Sequence, residues 1–140
     1  EKKGPPPEIN LFNEKNNGLA ILKLIKEKYI ESCHDISLGG ILIAITKMCL
    51  KGNKGIKINK PKYLINTFEY LFSEDQGRYL IEVTENNLKK VTELLIENSI
   101  NYDELGTVIS EKIEFSEKLN ISVDELMKNN KRWLKEYMVN

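Results

Sequence analysis

The chain has 140 residues, 41% of them hydrophobic and 30% charged, a composition that suits one soluble globular domain with its own core. Basic and acidic residues number 21 each, so the net charge is zero and no overall field favours nucleic acid or an anionic membrane. Two cysteines are too few for a disulfide framework, and no apolar run is long enough for a membrane span or resembles a signal peptide. We therefore expect a cytoplasmic protein.

Residues 1–15 are predicted to form a linker or leading arm, followed by one domain over residues 16–140. Three successive prolines follow Gly4, and such a run favours an extended polyproline conformation and excludes a helix. The first residue is a glutamate rather than a methionine. We therefore expect the chain to be a piece of a longer protein.

Hydrophobic spacing predicts helices that alternate with short strands. Helices are expected over residues 16–29, 39–50, 61–71, 86–98 and from 123 towards 138. Strands are expected over residues 31–36, 55–58, 79–84, 105–109 and 112–115. The last two strands are predicted to form a hairpin. Helices and strands in this order favour the α+β class, as a layered α/β/α domain with helices on a mixed sheet.

Apolar side chains at helical spacing predict which face of each helix is buried. In the first helix this face comprises Leu19, Leu22, Ile25 and Tyr29. In the helix over residues 86–98 it comprises Leu88, Val91, Leu94 and Leu95. The last helix is predicted to begin with a capping box, with Ser122 at the N-cap and Glu125 three residues later. It also carries Trp133 and Tyr137 one turn apart, a pair more typical of core packing than of a stacking platform.

The segment from His34 to Gly40 is predicted to be a strand end, a polar turn and the start of a buried helix. The first N–H groups of a helix lack backbone partners and lie at the positive end of its dipole, so such a turn can bind phosphate. Gly39 and Gly40 allow close approach by either a ligand or a packed strand. Ser37 is expected to be the N-cap of this helix, and its hydroxyl is a second candidate for a phosphate contact.

Asp35 permits two interpretations. Its carboxylate either accepts backbone N–H groups in the turn, which is the more frequent role of such a residue, or it binds Mg²⁺ beside bound phosphates. His34 is the only histidine in the chain. Neighbouring residues of a strand point to opposite faces, so Cys33, His34 and Asp35 are not expected to converge on a zinc ion.

A second polar segment runs from Ser73 to Arg78. The Arg78 guanidinium offers two parallel donors to a carboxylate or phosphate, and Glu74 and Gln76 offer further hydrogen bonds to a polar ligand. The alternative for this segment is a solvated turn with an internal Arg–Glu ion pair.

Taken together and in this order, the two motifs change which of the two interpretations, functional or structural, is favoured for each segment. His34-Asp35-Ile36-Ser37-x-Gly39-Gly40 and Ser73-Glu74-x-Gln76-Gly77-Arg78, with the proline arm and the later Gly106-Thr107-Val108, resemble the C-terminal domain of the phosphoribosylformylglycinamidine synthase family. The chain also resembles the wider superfamily, which is typified by the C-terminal domain of aminoimidazole ribonucleotide synthetase. The resemblance implies a fold that is partly ferredoxin-like. It also implies ATP-dependent conversion of formylglycinamide ribonucleotide to the amidine with glutamine-derived ammonia.

The resemblance further implies how this chain takes part in that reaction. No catalytic residue is expected here, because the family places most of its catalytic groups in preceding domains; the isolated domain is therefore predicted to be inactive. The implied cofactors are ATP or ADP and Mg²⁺, with Asp35 as the metal ligand. Residues expected to bind nucleotide or phosphate are His34, Asp35, Ser37, Gly39, Gly40, Ser73, Glu74, Gln76 and Arg78. The implied partners are the preceding domains of the same chain, a glutaminase and small accessory subunits.

One residue departs from the family pattern, and two other functions are kept open. The family usually carries an acidic residue at the position of Leu38, and its absence weakens the expectation of a metal. The alternative functions are the C-terminal domain of another superfamily member, such as selenophosphate or aminoimidazole ribonucleotide synthetase, and a non-catalytic interaction module.

Overall fold

The computed structural model describes residues 8–60, 66–116 and 119–139. The predicted proline arm and the predicted helix start at Pro61 lie outside these ranges. The helices are α1 (Leu11–Lys26), α2 (Gly40–Gly52), α3 (Thr67–Phe72), α4 (Glu85–Glu97) and α5 (Val123–Val139). The strands are β1 (Ser32–Asp35), β2 (Gly55–Ile58), β3 (Tyr79–Glu82), β4 (Gly106–Ile109), β5 (Lys112–Phe115) and β6 (Leu119–Ser122).

Two compact units make up the described chain. The first comprises the described parts of Glu1–Ala44 and Thr67–Asp103, and the second those of Ile45–Asn66 and Glu104–Asn140. Helices accompany a sheet with both parallel and antiparallel pairs, so the predicted α+β class with a mixed sheet is confirmed. Across the described ranges, no helix combines the length and apolar character needed to cross a membrane.

The core of the first unit lies between α1 and α4. Its buried residues are Ala20, Leu24, Val91, Leu94 and Leu95. The prediction of Val91, Leu94 and Leu95 as the buried face of α4 is confirmed, whereas Leu88 is about half exposed. Beside them, β1 and β3 form a two-stranded antiparallel sheet in which Cys33 lies opposite Ile81.

The predicted buried face of the first helix is wrong at three of its four residues; the fourth, Tyr29, is partly buried against the core. Leu19, Leu22 and Ile25 are each at least half exposed, whereas Ala20 and Leu24 are buried. The helix is apolar on two sides, so hydrophobic spacing alone does not decide which side meets α4. It also begins at Leu11, earlier than predicted, because the Asn10 side chain accepts a hydrogen bond from the N–H of Asn13 and caps the helix.

The second unit contains a four-stranded sheet in the order β4-β2-β5-β6. Strand β2 is antiparallel to β4 and parallel to β5, so it separates two strands that were predicted to form a hairpin. That prediction is wrong. The two residues that join β4 to β5 are Ser110 and Glu111, which lack the glycine or asparagine that a two-residue hairpin turn requires. The sheet leaves no room for a side chain at Gly55 or Gly106, since a Cβ there would meet the backbone of Lys112 or Lys57.

Strand β6 was not predicted from the sequence. It pairs antiparallel with β5, with Phe115 opposite Leu119 and Ile113 opposite Ile121. Its last residue, Ser122, leads directly into α5. Only two apolar residues alternate in this short strand, which is too weak a signal to separate it from a loop.

Candidate functional site

The two sequence motifs lie side by side in the first unit. Strands β1 and β3 pair antiparallel with Asp35 opposite Tyr79, so the end of β1 lies beside the start of β3. The pairing continues one residue further, since the N–H of Ile36 donates to the carbonyl oxygen of Arg78 at 2.9 Å. The turn after β1 and the turn before β3 therefore form one polar surface.

A carboxylate of the chain itself binds at the start of α2. The N–H of Gly39 donates to Glu74 Oε1 at 2.7 Å. From the sequence, such an N–H group is expected to bind a ligand phosphate, whereas here Glu74 supplies the anionic acceptor. The prediction of Ser37 as N-cap is wrong, because α2 begins three residues later at Gly40, whose N–H donates to the Ser37 carbonyl at 3.0 Å.

Gly40 makes room for polypeptide backbone, whereas a Cβ at Gly39 would meet the Ile43 side chain. Gly40 has a φ of +68°, and a Cβ at this position would lie 2.7 Å from the Cα of Phe72 and 2.8 Å from the carbonyl oxygen of Leu71. Gly39 has a φ of +85°, a conformation that side chains disfavour. Of the two alternatives from the sequence, a ligand or a packed backbone, the structure places the end of α3 against Gly40.

Arg78 organises the turn that precedes β3. Its Nη2 donates to the Ser73 carbonyl at 2.7 Å and to Ser73 Oγ at 3.2 Å. The same atom lies 3.3 Å from Asp75 Oδ2, and Nε donates to the Asp75 carbonyl at 3.3 Å. An internal ion pair is therefore present in this segment, but its acidic partner is Asp75 and not the glutamate that was predicted, because Glu74 accepts from Gly39 instead.

His34 and Asp35 interact with each other at the end of β1. His34 Nδ1 lies 2.6 Å from the Asp35 carbonyl oxygen and 3.2 Å from Asp35 Oδ1. The Asp35 side chain remains 63% exposed, so its carboxylate is accessible. Burial, and then the negative charge of Asp35, raise the pKa of the Cys33 thiol. In the described ranges, no three His, Cys, Asp or Glu side chains come together as a metal site.

An open cavity of about 370 Å³ lies on this polar surface. It is lined by five of the nine predicted site residues: Asp35, Ser37, Glu74, Gln76 and Arg78. The other four are not in its lining: His34, Gly39, Gly40 and Ser73. Leu38, where the resemblance to the family predicts an acidic residue, also lines the cavity and is 80% exposed.

Glu14 and Tyr79 complete the cavity wall and were missed from the sequence. Glu14 lies on α1, which was predicted to begin two residues after it. The Asn17 side chain connects α1 to the second motif by donating to the Gly77 carbonyl at 2.9 Å. No sequence motif marks Glu14, because only the packing of α1 brings it to the turn.

The charges of this cavity favour a cation over a bare anion. Glu14, Asp35 and Glu74 contribute three carboxylates, whereas the one lining cation, Arg78, is paired with Asp75. A phosphate group without a metal would meet net repulsion at this surface. The three carboxylates do not converge as a metal site in the described ranges, so a cation bound beside Asp35 would need further ligands from elsewhere.

The contact from Gly39 to Glu74 can be tested by stability. We expect Glu74→Ala to lower the free energy of unfolding by about 1 kcal/mol, as for loss of a helix cap. Urea denaturation of the 140-residue chain measures this change. Glu74→Gln keeps an oxygen acceptor and should lose less than half as much; equal losses for the two variants would contradict a capping role.

A family model and a curated relative each match most or all of this chain. The family described as AIR synthase related protein, C-terminal domain, matches residues 1–118. Phosphoribosylformylglycinamidine synthase subunit PurL of Pelagibacter ubique is 56% identical over 140 residues, which are 100% of this chain and 19% of that protein. The chain thus spans about a fifth of the length of this curated relative.

Two solved structures from Thermotoga maritima share the fold. The structure of PurLQS gives a TM-score of 0.72 with 23% identity, over 86% of this chain and 22% of that chain. T. maritima PurL complexed with ATP gives a TM-score of 0.67 with 23% identity, over 81% of this chain and 21% of that chain. At this level of identity the likeness establishes the fold.

Proposed function

Since the chain belongs to the family of AIR synthase related proteins, whose C-terminal domain it carries, we propose that it is the C-terminal domain of an ATP-dependent ligase of purine biosynthesis. The ligase converts formylglycinamide ribonucleotide to formylglycinamidine ribonucleotide. The observation that carries this proposal is the 56% identity to P. ubique PurL over the whole chain. It favours this enzyme over other members of the superfamily.

The cavity beside Asp35 contributes to binding the nucleotide in this reaction. ATP with Mg²⁺, when bound, supplies the phosphoryl group that activates the amide oxygen for displacement by ammonia. The exposed carboxylate of Asp35 would hold the metal from this chain, and Ser37 and Gln76 offer hydrogen bonds to phosphate oxygens. Because three carboxylates line the cavity, we expect a polyphosphate to bind together with its cation rather than without one.

The residues of this chain supply only part of such a site. Glu74 binds Gly39, and Arg78 is held by Ser73 and Asp75, so both shape the turn and contribute little free charge to a ligand. The remaining groups that neutralise phosphate come from the preceding domains of the ligase. Ammonia comes from a glutaminase subunit, with a small accessory subunit in the assembly; the existence of a T. maritima PurLQS structure supports these partners.

Turnover by the isolated chain and by the whole ligase tests the proposed function. The longer ligase that contains this chain should release phosphate and form the amidine when given formylglycinamide ribonucleotide, ATP and ammonium. Residues 1–140 alone should give no turnover under the same conditions. Turnover by the isolated chain, or none by the complete ligase, would contradict the proposal.

We expect Asp35→Asn in the complete ligase to lower kcat/KM for ATP about tenfold, which corresponds to roughly 1.4 kcal/mol. Loss of one carboxylate weakens the cation site, so the defect should shrink as Mg²⁺ is raised. Steady-state kinetics at several Mg²⁺ concentrations measure this. Glu97→Gln, an exposed substitution on α4, is the control; an Asp35→Asn defect independent of Mg²⁺ would rule out a metal role.

A further inference from the structure

Among the described residues of helix α5, only Val123 at its beginning is buried. Val123 is 2% exposed, and its N–H donates to the Glu111 carbonyl at 3.0 Å. The predicted cap at Ser122 is present, since its Oγ accepts a hydrogen bond from the N–H of Glu125 at 3.4 Å. Apolar residues continue from Val123 along one face of the helix, interrupted at Asn130: Val123, Leu126, Met127, Trp133, Leu134, Tyr137 and Met138.

The same apolar face is exposed over the second half of the helix. Every residue from Lys128 to Val139 is exposed, including four large apolar ones that we name the tail stripe: Trp133, Leu134, Tyr137 and Met138. Trp133 and Tyr137 stack on each other with ring centroids 5.7 Å apart, and are 65% and 72% exposed. The prediction that this pair packs in the core is therefore wrong for this chain.

Positive charge is concentrated beside the tail stripe. Residues 128–139 carry four cationic side chains and one anionic side chain, although the whole chain has zero net charge. Lys128, Lys131 and Lys135 recur at three- and four-residue spacing and so lie along one side of the helix. Arg132 pairs with Glu136 at 3.2 Å. An apolar stripe with a lysine border fits an apolar groove with a carboxylate border.

The extents of two matches bear on the choice of partner for α5. The match to the AIR synthase related family ends at residue 118, before α5 begins. The match to P. ubique PurL, which is named as a synthase subunit, extends over the whole chain and includes α5. The helix thus lies outside the part shared across the superfamily and within the part shared with a synthase subunit.

We propose that residues 128–139 form a docking helix that lays the tail stripe in an acidic-bordered apolar groove of another protein subunit of the synthase. This rests on the proposed function, because it takes the partner from the same assembly. A second copy of the chain is a poorer occupant, because antiparallel pairing of two such helices would place lysine borders against each other. Trp133 and Tyr137 are the expected anchors, since buried aromatic residues carry most of the affinity of such interfaces.

The test uses the complete ligase with purified glutaminase and small accessory subunits as binding probes. The double variant Trp133→Ala/Tyr137→Ala should weaken binding of one of these subunits at least 30-fold. The triple variant Lys128→Glu/Lys131→Glu/Lys135→Glu changes only exposed side chains and should weaken it at least tenfold, with the loss greatest at low salt. Leu88→Ala/Ile96→Ala, which removes exposed apolar residues of α4, is the matched control and should bind normally.

Measurements of turnover distinguish a loss of docking from a loss of the ligase reaction. Both α5 variants should keep ammonium-driven turnover within about twofold of wild type, while glutamine-driven turnover falls with subunit binding. Unchanged binding of both subunits would overturn the proposal. So would a change in the oligomeric state of the ligase alone, or binding of α5 to anionic vesicles and to neither subunit. Absence of ammonium-driven turnover in the wild-type ligase would refute the proposed function, while the binding assay would still report on docking.

Discussion

Replacing Gly40 with alanine is expected to lower the free energy of unfolding by about 3 kcal/mol. Two effects add at this position. The φ of +68° is unfavourable for any residue with a Cβ, and that Cβ would lie 2.7 Å from the backbone of Phe72. Backbone cannot rotate aside as a side chain can, so either α3 must move or α2 must begin differently.

Urea denaturation of the variant and the wild-type chain measures this loss. Gly18→Ala is the control in the same unit, because its Cβ would lie 3.8 Å from Tyr79 Oη, an ordinary contact, within helix α1. Alanine is the better helix former, so this variant should gain about 0.5–1 kcal/mol. A loss below about 1 kcal/mol for Gly40→Ala would refute the close approach between α2 and α3.

Leu24→Ala is expected to destabilise the chain by about 3 kcal/mol. Leu24 is completely buried against α4, and truncation of such a leucine removes apolar burial and leaves a cavity. Leu22, two residues earlier on the same helix, is 54% exposed. The same substitution there should lower stability by less than about 1 kcal/mol.

This pair of variants decides which face of α1 meets the core. The chemical change and the helix are identical, so differences in helix propensity cancel and only burial distinguishes the two sites. Equal losses, or a larger loss at Leu22, would support the face predicted from the sequence and contradict the structure. Denaturant midpoints with unchanged slopes give the comparison directly.

The contrast between α1 and α4 shows what hydrophobic spacing can predict. Helix α4 has one apolar side, so Val91 and Leu94 were assigned to the core correctly. Helix α1 has apolar residues on both sides, and the choice of Leu24 over Leu22 depends on α4, a distant segment of the chain. Strand β2 was predicted with its observed bounds because Gly55 marks its start and its residues alternate, but local sequence does not reveal its partners.

In the site too, the sequence predicts features that depend on neighbouring residues but not those that depend on distant segments. Both motifs were recognised from their residues, and antiparallel pairing of β1 with β3 brings them together. The roles of Arg78 and Glu74 as partners of their own chain depend on side-chain directions that spacing does not define. Glu14 was missed because it belongs to neither motif and reaches the cavity only through the packing of α1.

The position of β2 has a consequence for folding during synthesis. Its pairing partners are β4 and β5, which follow about fifty residues later in the chain. At the usual rates of translation, residues 59–115 take roughly 3 to 11 s to appear after β2 has been made. During that interval β2 has two open edges that can pair with other nascent chains. The second unit therefore forms late, because β2 cannot pair until both β4 and β5 have been synthesised.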